Sequence, residues 1–253
     1  MIVALLLGRK GSSGFPGKNL YPVLGRPLAF YPMSAAINSK SVESVFISTD
    51  DNGLMELAGQ NNVEVIRRPP ELCTKEALGE DAFVHGYYEI KKASPEKEIE
   101  IVVLLFCNAA TVTSDLIDEG IKVLRENPET DSAVSVSTYN MWSPLRARMI
   151  GEDGLLQPFV PFETFGDPKT LNCDRDSQGD AWFADMGVSI VKSRCLENIE
   201  DGLLPQKWMG QKIHPLKQWG GCDVDCEWQI PQVEYWLREH GFTENKTTEN
   251  SEK

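Results

Sequence analysis

Between Met1 and Val42 the chain contains no aspartate or glutamate, yet its 253 residues hold 38 acidic against 25 basic side chains. The acid-free stretch holds Arg9, Lys10, Lys18, Arg26 and Lys40, and the first acid is Glu43. A positive segment within an acidic protein suggests one anionic ligand at one place. The net charge of −13 argues against a nucleic-acid partner, whose phosphates such a protein repels. No apolar run approaches the roughly 20 residues of a membrane span. The apolar start, 2–7, has no basic residue before it and no small-residue cleavage site after it, so it reads as a buried strand rather than a signal peptide. The expectation is a soluble, cytoplasmic protein with no membrane partner. CxxC pairs are also lacking among the six cysteines, which favours reduced, structural thiols. Cys222 and Cys226 are CxxxC-spaced, but His214 is the one histidine near them, too few ligands for zinc.

What is present is a rhythm of short aliphatic runs at 2–7, 44–49, 63–66, 100–106 and 132–137. Amphipathic stretches at 28–39, 52–61, 76–93 and 114–126 lie between them. Continuously apolar strands separated by helices predict a Rossmann-like α/β fold, a mostly parallel sheet with helices on both faces. In such sheets the ligand sits at the carboxyl ends of the strands. Residues 139–182, with Pro144, Pro158, Pro161 and Pro168, interrupt the rhythm. They read as an irregular excursion, a β-ribbon and loop suited to reaching a partner subunit. A strand at 187–192 and a helix at 227–239 follow. The expected organisation is one domain over 1–241 and a disordered polar tail over 242–253.

Directly after the first strand comes Gly8-Arg9-Lys10-Gly11-Ser12-Ser13-Gly14-Phe15-Pro16-Gly17-Lys18-Asn19. Glycines at 8, 11, 14 and 17 allow positive φ and bring backbone N–H groups against phosphate oxygens, while Arg9 and Lys18 supply charge. Such a loop can cradle a triphosphate. It is neither a Walker A loop, since Ser12 stands where a glycine is needed, nor GxGxxG. Near the end, Asp223 and Asp225 follow Gly220-Gly221; two carboxylates two residues apart can share a hard cation that keeps waters and bridges phosphates. Lone His85 and His214 read as structural.

The stretch GRKGSSGFPGKN followed by LYPVLGRPL resembles the N-terminal signature of the acylneuraminate cytidylyltransferases, which make CMP-activated sialic acid and related nonulosonates; CMP-Kdo synthetases are cousins. The resemblance continues through Ser48-Thr49-Asp50, Arg68-Pro69-Pro70-Glu71-Leu72 and Asp223-Val224-Asp225, nearly the whole chain. It implies a nucleotide-diphospho-sugar transferase type of fold, a homodimer, and CTP and an acidic keto-sugar as substrates. It further implies that Arg9 and Lys18 grip the triphosphate, that Gly8, Gly11, Ser12 and Asn19 contact the nucleotide, and that Arg68 lies near the cytidine. Asp223 and Asp225 would bind Mg²⁺, with Arg9, Lys18 and Asp225 the catalytic set.

Two stretches depart from the family pattern. LLQPTSPLR is here Leu104-Leu105-Phe106-Cys107-Asn108-Ala109-Ala110-Thr111-Val112, with Asn108 placed to take over a nucleotide contact and Val112 where an arginine would meet an acidic substituent. RPNGAIY-like strands are replaced by Phe183-Ala184-Asp185-Met186-Gly187-Val188-Ser189, which puts Asp185 and Met186 at the sugar. An acidic Asp185 there disfavours a free carboxylate unless a metal or Arg175 offsets it. Nucleotidyl transfer is expected to be kept, with an unusual acceptor.

Overall fold

The computed structural model describes residues 1–11, 14–139, 142–174 and 179–245. Ser12, Arg175 and residues 246–253, singled out in the sequence, lie outside them. Strands β1 (Ile2–Leu7), β2 (Pro22–Val23), β3 (Arg26–Pro27), β4 (Ser44–Thr49), β5 (Glu64–Arg67), β6 (Ile101–Phe106), β7 (Ser132–Thr138), β8 (Arg148–Ile150), β9 (Leu156–Pro158), β10 (Trp182–Lys192) and β11 (Ile213–Gln218) run in chain order. Among them lie helices α1 (Phe30–Asn38), α2 (Asn52–Gln60), α3 (Gly79–Ala93), α4 (Ser114–Glu126), α5 (Ser193–Glu197) and α6 (Ile230–Glu239).

Seven strands form one sheet in the order β11-β7-β10-β6-β1-β4-β5. β5, β4, β1 and β6 pair in parallel, β10 runs antiparallel between β6 and β7, and β11 is parallel to β7. Burial of β1 and β6 on both faces explains their unbroken aliphatic runs. Ile2, Ala4 and Leu6 join Ile101, Val103 and Leu105 in the core that also takes in α1, α2 and α4 residues. Val3, Leu5, Leu7, Val102 and Leu104 point the other way, toward α3 and α5. Local chemistry sets helix starts: Asp51 accepts from the N–H of Gly53, and Thr113 from that of Leu116.

Three elements differ from the sequence reading. β11 was not expected, because its sequence IHPLKQ has no clean alternation. It is tolerated as an edge strand, where Pro215 costs no ladder bond in the sheet interior. β10 begins earlier than the expected strand, at Trp182, and its register jumps between Ala184 and Ser189. Finally, Phe242–Asn245 are not a free tail: Phe242 stacks edge-on against Tyr31 at 5.1 Å, and the Asn245 N–H donates to the Leu24 carbonyl at 3.0 Å. A single apolar ring with a buried partner outweighs the polar composition around it. Within 139–182, β8 and β9 form the expected ribbon.

Candidate active site

The carboxyl ends of β1, β4, β5 and β6 open into a cleft of about 440 Å³, lined by Gly8, Arg9, Lys18, Arg68, Asn108 and Asp225 among others. Gly8 follows β1 directly, and its N–H donates to the Ser48 carbonyl at the end of β4. A side chain there would collide with Leu54 and Cys107. The Lys10 N–H donates to Asp50 Oδ1 at 2.7 Å, fastening the start of the loop to the Ser48-Thr49-Asp50 segment. The four glycines serve two purposes. Gly11 and Gly17 adopt positive φ of 80° and 76°, whereas Gly14 is needed for close approach, since a Cβ would sit 2.8 Å from the Asp225 carbonyl oxygen.

The glycine loop and the distant acidic pair meet there. Lys18 Nζ donates to Asp225 Oδ1 at 2.5 Å across 207 residues of sequence. Asn19 Nδ2 donates to the Arg9 carbonyl, and the Arg9 guanidinium to the Cys73 carbonyl. Arg68 is buried, with Nε on Ser48 Oγ at 3.1 Å and Nη2 on the Ser48 carbonyl at 2.6 Å. Burial pulls its pKa below the usual arginine value. Asn108 Nδ2 donates to the Val224 carbonyl at 3.0 Å and lies 3.4 Å from Asp223 Oδ2, so it tethers the acidic segment to the end of β6.

Asp223 is half-buried, and its pKa is raised first by desolvation and then by the nearby Asp225 charge. Two adjoining carboxylates held in this way suit a hard cation that completes its shell with waters and phosphate oxygens. Among the described residues no cluster of three or more His, Cys, Asp or Glu offers an all-protein cage. The six cysteines are free thiols, and burial pushes the Cys222 thiol up to about 12.

Sequence reasoning missed Gln229. Its Oε1 accepts from the N–H groups of Asp225 and Cys226, both at 2.7 Å, and its Nε2 donates to the Asp223 carbonyl at 3.1 Å. One amide thus fixes the backbone of the whole acidic segment at the entry to α6. The signal is local: Cys226 and Gln229 form a capping box at the helix entry, with a cysteine where serine or threonine is usual.

Of the two residues expected at the sugar, Asp185 lines the neighbouring cleft but Met186 does not. The Asp185 carboxylate is buried and receives four donors: Ser135 Oγ at 2.5 Å, Ser137 Oγ at 2.6 Å, Gln218 Nε2 at 2.9 Å and the Gly187 N–H at 3.1 Å. With its lone pairs occupied it anchors the irregular stretch of β10. Met186, at φ 62°, packs with the core on the α3 side and lines neither this cleft nor its neighbour. The neighbouring cleft, about 950 Å³, lies on the other side of Asp223 and is walled by Tyr139, Trp142, Phe183, Trp219, Trp228 and Tyr235.

A sequence model described as cytidylyltransferase matches residues 3–150, more than half of the chain. The N-acylneuraminate cytidylyltransferase of Oncorhynchus mykiss is 25% identical over 232 residues, covering 91% of this chain and 49% of that protein. The 3-deoxy-manno-octulosonate cytidylyltransferase of Bdellovibrio bacteriovorus is 31% identical over 132 residues, 52% of this chain and 49% of that protein. The chain spans about half the length of these curated relatives. Among solved structures, a CMP:2-keto-3-deoxy-manno-octonic acid synthetase complexed with CTP superposes with a TM-score of 0.64 at 15% identity, over 94% of this chain and 99% of that one. A 4-diphosphocytidyl-2C-methyl-D-erythritol synthase from Anaerococcus prevotii gives 0.60 at 11%, over 94% and 96%. These two share the fold.

Proposed function

The chain belongs to the cytidylyltransferase family, and on that premise we propose that it transfers CMP from CTP to the anomeric hydroxyl of an acidic keto-sugar, with release of pyrophosphate. The observation that carries this reading is the convergence of Arg9, Lys18, Arg68, Asn108 and Asp225 on one cleft at the carboxyl edge of the sheet, with Asp223 on the adjoining cleft and reached by Asn108. Arg9 and Lys18 hold the triphosphate, and Gly8, Gly11 and Asn19 shape the loop around it. Arg68, fixed on Ser48, lies toward the base. Asp223 and Asp225 would hold Mg²⁺, which when bound supplies charge neutralisation on the phosphates.

Attack by the sugar hydroxyl on the α-phosphorus, with pyrophosphate departing in line, needs no protein nucleophile. The protein's part is to position the two substrates and to stabilise charge on the phosphoryl oxygens with Arg9 and Lys18. The test is pyrophosphate release from CTP with Mg²⁺ across a panel of keto-sugar acids. Release that depends on a sugar acid is the expected result; CTP binding without release from any acceptor would leave a nucleotide sensor instead.

The enzyme acts in the cytoplasm, where CTP is available; among the described residues no helix is long and apolar enough to cross a membrane. It acts as a homodimer joined through the β8–β9 ribbon, whose Ile150, Leu156 and Phe159 stand exposed with no core beneath them. A Leu156→Asp, Phe159→Asp double variant is expected to sediment as a monomer with an unchanged far-UV spectrum. A dimer surviving both changes would move the interface elsewhere.

A further inference from the structure

Between β11 and α6 the chain carries the acidic pair without regular structure, and side chains from elsewhere hold its backbone residue by residue. The Gly221 N–H donates to Ser137 Oγ at 3.0 Å, and its carbonyl accepts from Tyr139 Oη at 2.6 Å. The Thr111 hydroxyl accepts from the Cys222 N–H at 2.9 Å and donates to the Cys222 carbonyl at 3.1 Å. Asn108 closes a similar ring on Val224: its main-chain carbonyl accepts from the Val224 N–H at 2.9 Å, and its Nδ2 donates to the Val224 carbonyl at 3.0 Å. The two residues that carry the carboxylates are tied differently. The Asp223 carbonyl and the Asp225 N–H both go to the one amide of Gln229, at 3.1 and 2.7 Å.

Gln229 thus spans the pair and fixes one acid relative to the other. It can do so because a primary amide both accepts and donates, and because it is neutral. A carboxylate in its place would turn an oxygen toward the Asp223 carbonyl and add a third negative charge. The amide stands on a firm base: Ile230, Val233, Trp236 and Leu237 of α6 are buried in the same core cluster as Val224. The side chain of Asp225, by contrast, is 66% exposed. Left to itself it would swing into solvent, away from the like charge of Asp223. A small hard cation demands near-octahedral geometry, so the cost of bringing two such carboxylates together comes directly out of its affinity.

We propose that Gln229 is a positioning residue that sets the cation affinity of the Asp223/Asp225 pair, by locking the backbone of both acids to the entry of α6. The inference rests on the CMP-transfer reading, in which these acids hold the cation, and adds to it the group that prepares them. Gln229 acts through the two carboxylates and not on the reacting atoms. It also belongs to a capping box with Cys226, whose N–H donates to the same Oε1 at 2.7 Å. Capping by itself would contribute to the stability of the helix entry and nothing to cation binding. The two roles therefore separate in experiment: the other half of the box, the Cys226 side chain, serves the cap alone.

The test titrates the full chain with Mn²⁺ alone, following the paramagnetic resonance signal of the free ion, and sets the result beside the Mg²⁺ dependence of pyrophosphate release. Gln229→Met, which keeps the length and removes all three hydrogen bonds, is expected to weaken Mn²⁺ binding about 10-fold. The Mg²⁺ concentration for half-maximal release should rise by a similar factor, while the KM for CTP at saturating Mg²⁺ stays within about 2-fold. Cys226→Ala should lower the unfolding midpoint about as much as Gln229→Met and leave Mn²⁺ binding within about 2-fold. Gln229→Glu keeps the acceptor for both N–H groups, and with it the helix entry. It is expected to hold the parental unfolding midpoint and still lose about 10-fold in kcat at saturating Mg²⁺, because its second oxygen repels the Asp223 carbonyl. Unaltered Mn²⁺ binding in Gln229→Met, an equal loss in Cys226→Ala, or parental kcat in Gln229→Glu would reduce Gln229 to a helix cap and overturn the inference, with CMP transfer by the parent left standing. A parent that neither binds Mn²⁺ nor releases pyrophosphate would overturn both.

Discussion

Asp225→Asn is expected to lower CMP transfer by about three orders of magnitude while changing the Kd for CTP by less than about 10-fold. Asparagine has the same shape but no charge, so it cannot neutralise a cation or hold Lys18 through an ion pair. The backbone beneath it should not move: its N–H is held by Gln229, Val224 is tied to Asn108, and Gly14 backs directly onto the Asp225 carbonyl. Loss of turnover in this variant would therefore report chemistry rather than collapse of the site. Pyrophosphate release and calorimetric CTP titration measure the two quantities separately. A variant turning over within about 10-fold of the parent would remove Asp225 from the catalytic set. Asp223→Asn makes a less clean probe, because Asp223 is half-buried and desolvation and the Asp225 charge raise its pKa.

The second large effect is on stability. Asp185→Ala is expected to cost roughly 3–5 kcal/mol in urea unfolding, because it strands Ser135, Ser137, Gln218 and the Gly187 N–H in a buried setting. Asp185→Asn keeps the shape and an acceptor oxygen and should cost about 1–2 kcal/mol. A sugar contact would behave differently, leaving the unfolding midpoint in place and moving the acceptor's KM alone. Near-parental stability of the alanine variant would mean that these four donors find water or other partners, and that the bulged stretch of β10 is held by something else.

The two predictions separate what was legible in the sequence from what was not. Lys18 and Asp225 could each be picked out, because a glycine-spaced basic loop after an apolar strand and a DxD beside paired glycines are local patterns tied to phosphate and cation chemistry. Asp185 was singled out too, from its position in a stretch that departs from the family pattern. Its structural role was not legible because a carboxylate's function depends on which donors surround it. Three of those four donors come from β7 and β11, and β11 itself escaped notice because an edge strand needs only one neighbour and tolerates proline.

Gln229 carries a local signal that was overlooked, the amide of a capping box whose cap is a cysteine. The aromatic cleft has none: its rings at 139, 142, 183, 219, 228 and 235 are brought together by the fold. Similarly, Phe242 reads as the start of a polar tail until Tyr31 is beside it.

The sequence by itself determined the sheet's buried central strands, the helices covering them, and the loop and acid pair that mark a nucleotide site, because burial periodicity, glycine geometry and charge act over a few residues. The tertiary structure alone decided which side chains meet: that Lys18 reaches Asp225, that Asp185 is consumed by internal donors, and that the surface beyond Asp223 is a wall of aromatic rings. Such contacts depend on strand order and crossover direction, and no short stretch of chain encodes those.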